Sequence, residues 1–523
     1  MVTKIVLLVV FAVVTIAVGL IFRRRATDVN GFVLAGRSVG PWLTAFAYGT
    51  SYFSAVVFVG YAGQFGWRFG TSAVWIGLGN ALIGSLMAWA ILGRRTRIMT
   101  RHLNSATMPE FFGSRFNSTI LKVMASAIIF IFLIPYTASL YNGLSRLFAM
   151  AFNIDFTICI ALMAVLTGIY VIAGGYFATA VNDFIQGIIM LFGISAVIAA
   201  ILKDNGGFIA ALDTLARVED AGISSTPGIL TSFFGPDPMS LLCVVILTSL
   251  GTWGLPQMVQ KFYSIQSENA IFKGTIISTI FALVVAGGSY FLGSFGRLYS
   301  DVVNISVNGY DSIVPTMLSG LSPLLISITV ILVLSASMST LSALVMTSST
   351  TFTLDFLKGN LIKNMDEKAQ LLTIRGLIVL FIVISSVIAI IQHKSSITFI
   401  AQLMGISWGA LAGSFLAPLL YGLYWKRTSN ASVWCCFIFS TLFMSANILF
   451  RDVFPAILKS PINAGAFAMI FGMLIVPVVS IFSKPKDSQT VENCFACYEQ
   501  TTVAKVLHIL DGEEVGATQR SGK

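Results

Sequence analysis

Charge is scarce in this chain: of 523 residues only 10% are Asp, Glu, Lys or Arg, against 56% hydrophobic residues and a mean hydropathy of +0.87. That deficit excludes an ordinary water-soluble domain and defines an all-α polytopic membrane protein. Histidine is rarer still, with three residues, His102, His393 and His508, in connections or the tail. No HExxH, GxSxG or Walker A sequence occurs, and no paired-carboxylate sequence lies within the apolar runs. An enzyme is therefore not expected, and energy for transport would have to come from an ion gradient. Disulfide-framework spacing is missing too. Cys159, Cys243 and the pair Cys435-Cys436 fall in or beside apolar runs as small hydrophobes. Cys494-Phe-Ala-Cys497 has only His508 near it, short of the four ligands zinc takes, so an incidental pair is expected. The net charge of +10 does not call for a nucleic-acid partner, because most Lys and Arg lie in short loops where they orient the chain in a lipid bilayer.

What the chain does have is apolar runs near the ~20 residues a membrane helix needs. The first, Ile5 to Phe22, precedes Arg23-Arg24-Arg25 and lacks a cleavage site, so it reads as a retained helix. Others centre in Trp42–Ala62, Ser72–Leu92, Ile120–Leu140, Phe156–Ala173, Phe184–Ala200, Leu241–Val259, Ile276–Leu292, Leu324–Ser348, Leu377–Ile391, Ile397–Trp425, Val433–Leu449 and Ala464–Phe482, about 13 transmembrane helices in all. Arg23 to Arg25, Arg94, Arg95, Arg97 and Arg101, Lys358, Lys363 and Lys368, and Lys426-Arg427 fall on one side of an alternating topology. The positive-inside rule makes that side cytoplasmic, with the N-terminus outside and the C-terminal tail inside a plasma membrane.

Two runs are interrupted. Trp42–Ala62 contains Tyr48-Gly-Thr-Ser-Tyr-Phe-Ser54, and Leu241–Val259 contains Thr248-Ser-Leu-Gly-Thr-Trp-Gly-Leu-Pro256, where Gly and Pro permit unwinding. Each opens a set of five runs, the pattern of an inverted 5+5 helix repeat with one extra N-terminal and two extra C-terminal helices. The expected division is 1–40, repeats at 41–202 and 239–425 around an outer loop 203–238, two helices to 482, and a tail 483–523 without an extended helical domain. Broken helices in corresponding positions point to a midplane binding site, although a packing kink would look the same in either one alone.

Chemistry concentrates in Leu334-Ser-Ala-Ser-Met-Ser-Thr-Leu-Ser-Ala343. At helical spacing Ala336, Ser339 and Thr340 share a face, continued by Ser342. Such a face can serve close helix packing or offer oxygens to a small hard cation. Asp183, at the head of the Phe184–Ala200 run, reads equally as a helix N-cap or as a coupling acid at membrane depth. Polar residues within the runs that could line a solute cavity are Tyr52, Ser54, Gln64, Asn80, Tyr141, Asn142, Trp253, Gln257, Gln402 and Trp408. For Tyr141 and Trp408, anchoring at the membrane interface is the favoured reading.

Four stretches are similar to the sodium:solute symporter family: Phe32-Val-Leu-Ala-Gly-Arg37, Ala106-Thr-Met-Pro-Glu-Phe-Phe-Gly-Ser-Arg-Phe116, Gly174-Gly175 through Asp183 and Gln186, and Ser335-Ala-Ser-Met-Ser-Thr-Leu-Ser342. The resemblance covers nearly the whole chain to about Phe482 and implies the inverted-repeat fold of the leucine transporter. It also implies a sodium site of five neutral oxygens: the carbonyls of Thr50, Phe53 and Ala336 and the hydroxyls of Ser339 and Thr340. Some members hold a second sodium through the acid matching Asp183 with hydroxyls matching Ser339 and Ser342. Here Ala343 replaces a hydroxyl and Asn182 a threonine, so one sodium is expected. Solute contact is implied for Ser54 and for Thr248, Thr252 and Trp253. Proline-type members carry aromatics where this chain has Thr248 and Thr252, so the threonines leave more room and more hydrogen-bonding capacity. The expected activity is symport of sodium with a small organic solute. A proton-coupled carrier and a transporter-like sensor are the alternatives.

Overall fold

The structure, a computed structural model, describes residues 2–510 except 153, 219–225, 359, 363, 396–399 and 484–486. Lys363 and the tail beyond 510 lie outside the described residues, as does the side chain of His508. Helix makes up 86% of the chain and no strand occurs among the described residues. The principal helices are α1 (Val2–Ile21), α2 (Pro41–Tyr52), the run Val56–His102, α3 (Thr119–Phe152), α4 (Phe156–Asp204), α5 (Pro238–Gly254) and α6 (Pro256–Ser264). They continue as α7 (Glu268–Gly293), α8 (Pro323–Thr351), α9 (Glu367–Ser395), α10 (Ile400–Tyr424), α11 (Asn430–Leu449), α12 (Pro461–Phe482) and α13 (Ser488–Leu510).

Ten helical stretches among the described residues are long and apolar enough to cross a membrane, and the bent pair α5–α6 makes eleven. The thirteen runs read from the sequence do not become thirteen separate long helices. α2 stops after 12 residues, Val56–His102 continues for 47, and α4 joins two expected runs into 49. The join in α4 is not straight: Gly175 sits at φ 59, ψ −163, a conformation only glycine adopts without strain. A Cβ there would also lie 3.0 Å from the Phe32 ring and 3.1 Å from Ala26.

Local chemistry sets where the helices begin. Asp237 accepts from Ser240 N at 3.0 Å with Pro238 in the first turn of α5, and Ser322 caps α8 ahead of Pro323. Thr107 caps Met108–Arg115 while Glu110 reaches back to Ala106 N at 2.8 Å. The tail holds one helix, α13, of 23 residues, which carries Val491, Cys494, Phe495 and Cys497 on a buried face. That face follows helical spacing, so packing, not a polar composition, decides the local structure.

The two broken helices lie antiparallel to one another. Val39, just ahead of α2, bridges Ile265, just past α6, with Gln266 N to Val39 O at 3.0 Å. At the other end Arg68, just ahead of the turn at Gly70 (φ 61, ψ −139) that closes the first broken helix within the Val56–His102 stretch, pairs with Asp237, opening α5, at 2.5 Å. The first helix therefore ends where the second begins, the relation an inverted repeat requires. α8 runs between α3 and α4, and from Thr329 to Thr351 every residue is buried. Side chains such as Val10, Val13, Leu372, Val383 and Phe482 form the exposed apolar perimeter that lipid would cover.

Candidate functional site at the broken helices

α2 ends because the backbone turns extended at Phe53, with φ −83 and ψ 115. Its last turn is thereby relieved of part of its helical hydrogen bonding, and its carbonyls face α8. Ser339 Oγ lies within hydrogen-bond distance of two carbonyls, Thr50 O at 3.1 Å and Ala336 O at 3.0 Å, with one proton to share between them. Thr340 Oγ1 lies 3.0 Å from Thr50 O, 3.4 Å from Phe53 O and 3.1 Å from Ala336 O. The five oxygens implied by the family resemblance thus lie together, in a place fully removed from solvent. Two hydroxyls shared among three carbonyls form a compact, neutral, oxygen-only cluster, the donor set that suits a monovalent hard cation better than a carboxylate-seeking divalent one.

Asp183 is not an N-cap. It lies inside the helical arm of α4 that follows Gly175, 1% exposed, and neither carboxylate oxygen has a hydrogen-bond partner. Its charge partner is Lys261 on α6, with Nζ 4.0 Å from Oδ2. Lys261 is itself 3% exposed and stands 5.0 Å from the Tyr176 ring. The expected grouping of Asp183 with Ser339 and Ser342 does not form through hydrogen bonds: Ser342 Oγ donates to Ser339 O at 2.8 Å, within its own helix. Asn182 is spent on Thr15 O at 3.2 Å, tying α4 to α1.

The solute candidates divide into three places. Around the midplane, Tyr52, Gln257 and Trp408 are buried with their polar atoms unpartnered, and Ser54 turns its hydroxyl to Val56 N at 3.2 Å, restarting the helix. Trp408 packs edge-on against Tyr136 at 5.9 Å, and a Cβ on Gly251 would come within 2.9 Å of its ring. Both Trp408 and Tyr141 are 0% exposed, which overturns the interfacial-anchor reading for each.

In the second place, Thr252 donates to Gly84 O and Trp253 Nε1 to Ile83 O, each at 2.9 Å. These acceptors sit where the Val56–His102 run widens to π-helix at Leu82–Met87, a geometry that frees carbonyls from the helix. Thr248 bonds back to Val244 O at 2.9 Å. Each threonine thus spends its proton on a backbone carbonyl and keeps its oxygen as an acceptor. Asn142 Nδ2 donates to Gln392 Oε1 on α9 at 2.5 Å, while its buried Oδ1 has no hydrogen-bond partner. Third, Gln64 and Gln402 line a vestibule of about 740 Å³ with Trp67, Arg68, Arg297 and Tyr310.

Tyr136, Gln186 and Lys261 were missing from the candidates. Gln186 had been quoted only as motif spacing, yet it is buried with both amide atoms unpartnered. Lys261 follows Gln257 by four residues, one helical turn, a signal available had the span not been ended at Val259.

A many-span helical bundle with two antiparallel broken helices defines a membrane transporter. The sodium:solute symporter family profile matches residues 32–438. The chain belongs to the sodium:solute symporter family, an integral membrane protein with the leucine-transporter type of fold, and its activity is sodium-coupled solute uptake. The sodium/proline symporters of Staphylococcus aureus strains JH9 and Mu3 are each 28% identical over 434 residues, covering 82% of this chain and 82% of theirs. A solved Na+-coupled sialic acid symporter in a substrate-bound outward-open state shares the fold, with a TM-score of 0.71 at 16% identity over 93% of this chain and 99% of that one. Neither the proton-coupled nor the sensor alternative is favoured by these likenesses.

Proposed function

We propose that the protein carries one sodium ion and one small polar organic solute into the cell across the plasma membrane, with Thr50, Phe53, Ala336, Ser339 and Thr340 as the ion's ligands. The observation that carries this is the convergence of those five oxygens from the break of α2 and from α8. An ion there replaces hydroxyl-to-carbonyl hydrogen bonds with coordination and holds the broken helix against α8. Release on the cytoplasmic side lets the two separate. The moving parts are the repeats 41–202 and 239–425, linked by 203–238; the segments 1–40, 426–482 and 483–523 frame them. The N-terminus lies outside and the tail in the cytoplasm, because the basic loops mark the inner face.

One ion suffices because Asp183 already faces a cation, the ammonium of Lys261, fixed to the chain. The solute sits among Tyr52, Tyr136, Trp408 and Gln257, where buried polar atoms await partners. Proline is the substrate named for the Staphylococcus relatives. For this chain the wider claim is a compact polar nutrient, since Thr248 and Thr252 enlarge the site. Uptake of a panel of amino acids and organic acids into proteoliposomes, under imposed sodium or proton gradients, tests the proposal. Accumulation driven by sodium alone supports it, and accumulation indifferent to sodium overturns it.

A further inference from the structure

A groove of about 500 Å³ opens on the outer surface between α4 and α9, away from the broken helices. Its walls are apolar: Val165, Gly168 and Ile169 on one side, Val379 and Val383 on the other, with the side chains of Val165, Ile169, Val379 and Val383 exposed to the surroundings. At one end stand two cations, Arg23 and Arg375. That end is the face bearing the Arg23–Arg25 cluster, since Val29 N donates to Glu367 at the start of α9 at 3.1 Å.

Neither arginine has a carboxylate partner among the described residues, and Nε of Arg375 is buried without a hydrogen-bond acceptor. Nearby acids are otherwise engaged, Asp28 with Gly31 N and Glu367 with Val29 N. The Arg375 guanidinium lies 5.7 Å from the Phe32 ring, and the residue lines the groove. Arg375 is eight residues into α9, roughly 12 Å along the helix, and the groove continues a further ~12 Å to Val383, close to the depth of one leaflet. Arg375 stands two residues ahead of the apolar run that begins at Leu377, at the level of lipid headgroups, where a phosphate matches its fork of donors.

We propose that this groove binds an anionic phospholipid, with the phosphate held between Arg23 and Arg375 and an acyl chain lying over Gly168 and Val379. The membrane leaflet on the basic face supplies such lipids, and clefts with basic residues between helices are where their headgroups lodge. The occupant is a whole lipid, because the walls beyond the arginines offer nothing polar to a free phosphate.

Native mass spectrometry of the full chain, released from micelles containing phosphatidylglycerol or phosphatidylcholine of the same acyl chains, tests this. The expected result is retention of one phosphatidylglycerol, weakened roughly thirtyfold in Arg23→Gln/Arg375→Gln and unchanged in Arg101→Gln, which lies outside the groove. Gly168→Leu keeps both arginines but fills the groove; its Cβ meets only Ile382 at 3.7 Å, so the helix tolerates it, and retention should again fall. Equal retention of phosphatidylcholine, displacement by glycerol phosphate alone, or undiminished retention in both groove variants would overturn the proposal.

Discussion

Ser339 and Thr340 each touch carbonyls of a helix nearly three hundred residues earlier in the chain, and in the proposed ion site those contacts couple ion binding to conformation. Removing one hydroxyl deletes one of five oxygens; at ~1.5–3 kcal/mol for a charge-assisted contact, Ser339→Ala or Thr340→Ala should raise the sodium concentration for half-maximal uptake by roughly 10- to 100-fold. Melting in detergent should change little, since the carbonyls of Thr50 and Ala336 keep the other hydroxyl and the Phe53 carbonyl loses only a long 3.4 Å contact in Thr340→Ala. Lys261 and Asp183 present the opposite case, because both are buried. Asp183→Asn or Lys261→Met alone should destabilise by ~3–5 kcal/mol, and the double variant by less than either, as read from denaturation of the purified protein. If Lys261 substitutes for an ion, Lys261→Ala that remains folded should show a steeper sodium dependence of uptake than the parent protein. Helical spacing put Ala336, Ser339 and Thr340 on one face and Gly49 marked a break, but the proposed ligand set came from the family resemblance, because spacing alone fits close helix packing as well. Lys261 was not legible, because a charge one turn past an apolar run looks like the run's end. Trp408 and Tyr141 were misplaced because hydropathy reports depth in the membrane, not which way a ring faces.

Helices here are defined as much by where they stop as by where they run. Pro256 supplies no amide for the helix that ends at Gly254, and the two halves meet at 44°. Gly175 lets α4 break at positive φ against Phe32; Gly175→Ala should cost ~1–3 kcal/mol and lower the melting temperature measurably. Close packing depends on glycine once more at Gly66 and Gly293, where an added Cβ would strike the opposite backbone. The breaks at α2 and α5–α6 were legible from Gly and Pro, but the joined α4 was not, since Gly174-Gly175 reads as a loop when the helical arms on both sides are unseen. Tail helix α13 escaped notice because its apolar face exists only against the loops it covers. There Arg115 is buried, its guanidinium 5.1 Å from the Phe495 ring and its Nε on Gly422 O at 2.9 Å; burial pulls its pKa down to about 10, which leaves it charged at neutral pH. Burial also pushes the Cys497 thiol up to about 11 and raises that of Cys494. Maleimide should therefore label this pair slowly in the folded protein, and Arg115→Ala, by loosening the dock, should speed labelling at least severalfold.

At the scale of the whole molecule, an apolar perimeter, a polar midplane and two antiparallel broken helices make a machine powered by the ion's fall through the membrane. One charge crossing 100 mV releases ~2.3 kcal/mol, so for an uncharged solute that potential should raise the equilibrium accumulation ratio about fiftyfold over the zero-potential value. Two sodium ions per solute would square that factor, which makes the potential dependence of accumulation in proteoliposomes a count of ions. The membrane-spanning helical class and the paired breaks were readable from the apolar runs and their Gly and Pro residues, but the number of separate helices was not, since ten or eleven long stretches stand where thirteen runs were expected. The vestibule, the Asp183–Lys261 pair and the hydrogen bonds of Thr252, Trp253 and Asn142 to neighbouring helices depend on how the helices lie beside one another, and no one-dimensional pattern carries that. The most direct measurement is equilibrium binding of radiolabelled sodium to the purified protein, since it needs no knowledge of the solute. The account predicts one ion per chain and loss of that binding in folded Ser339→Ala/Thr340→Ala; undiminished binding in that variant would contradict it.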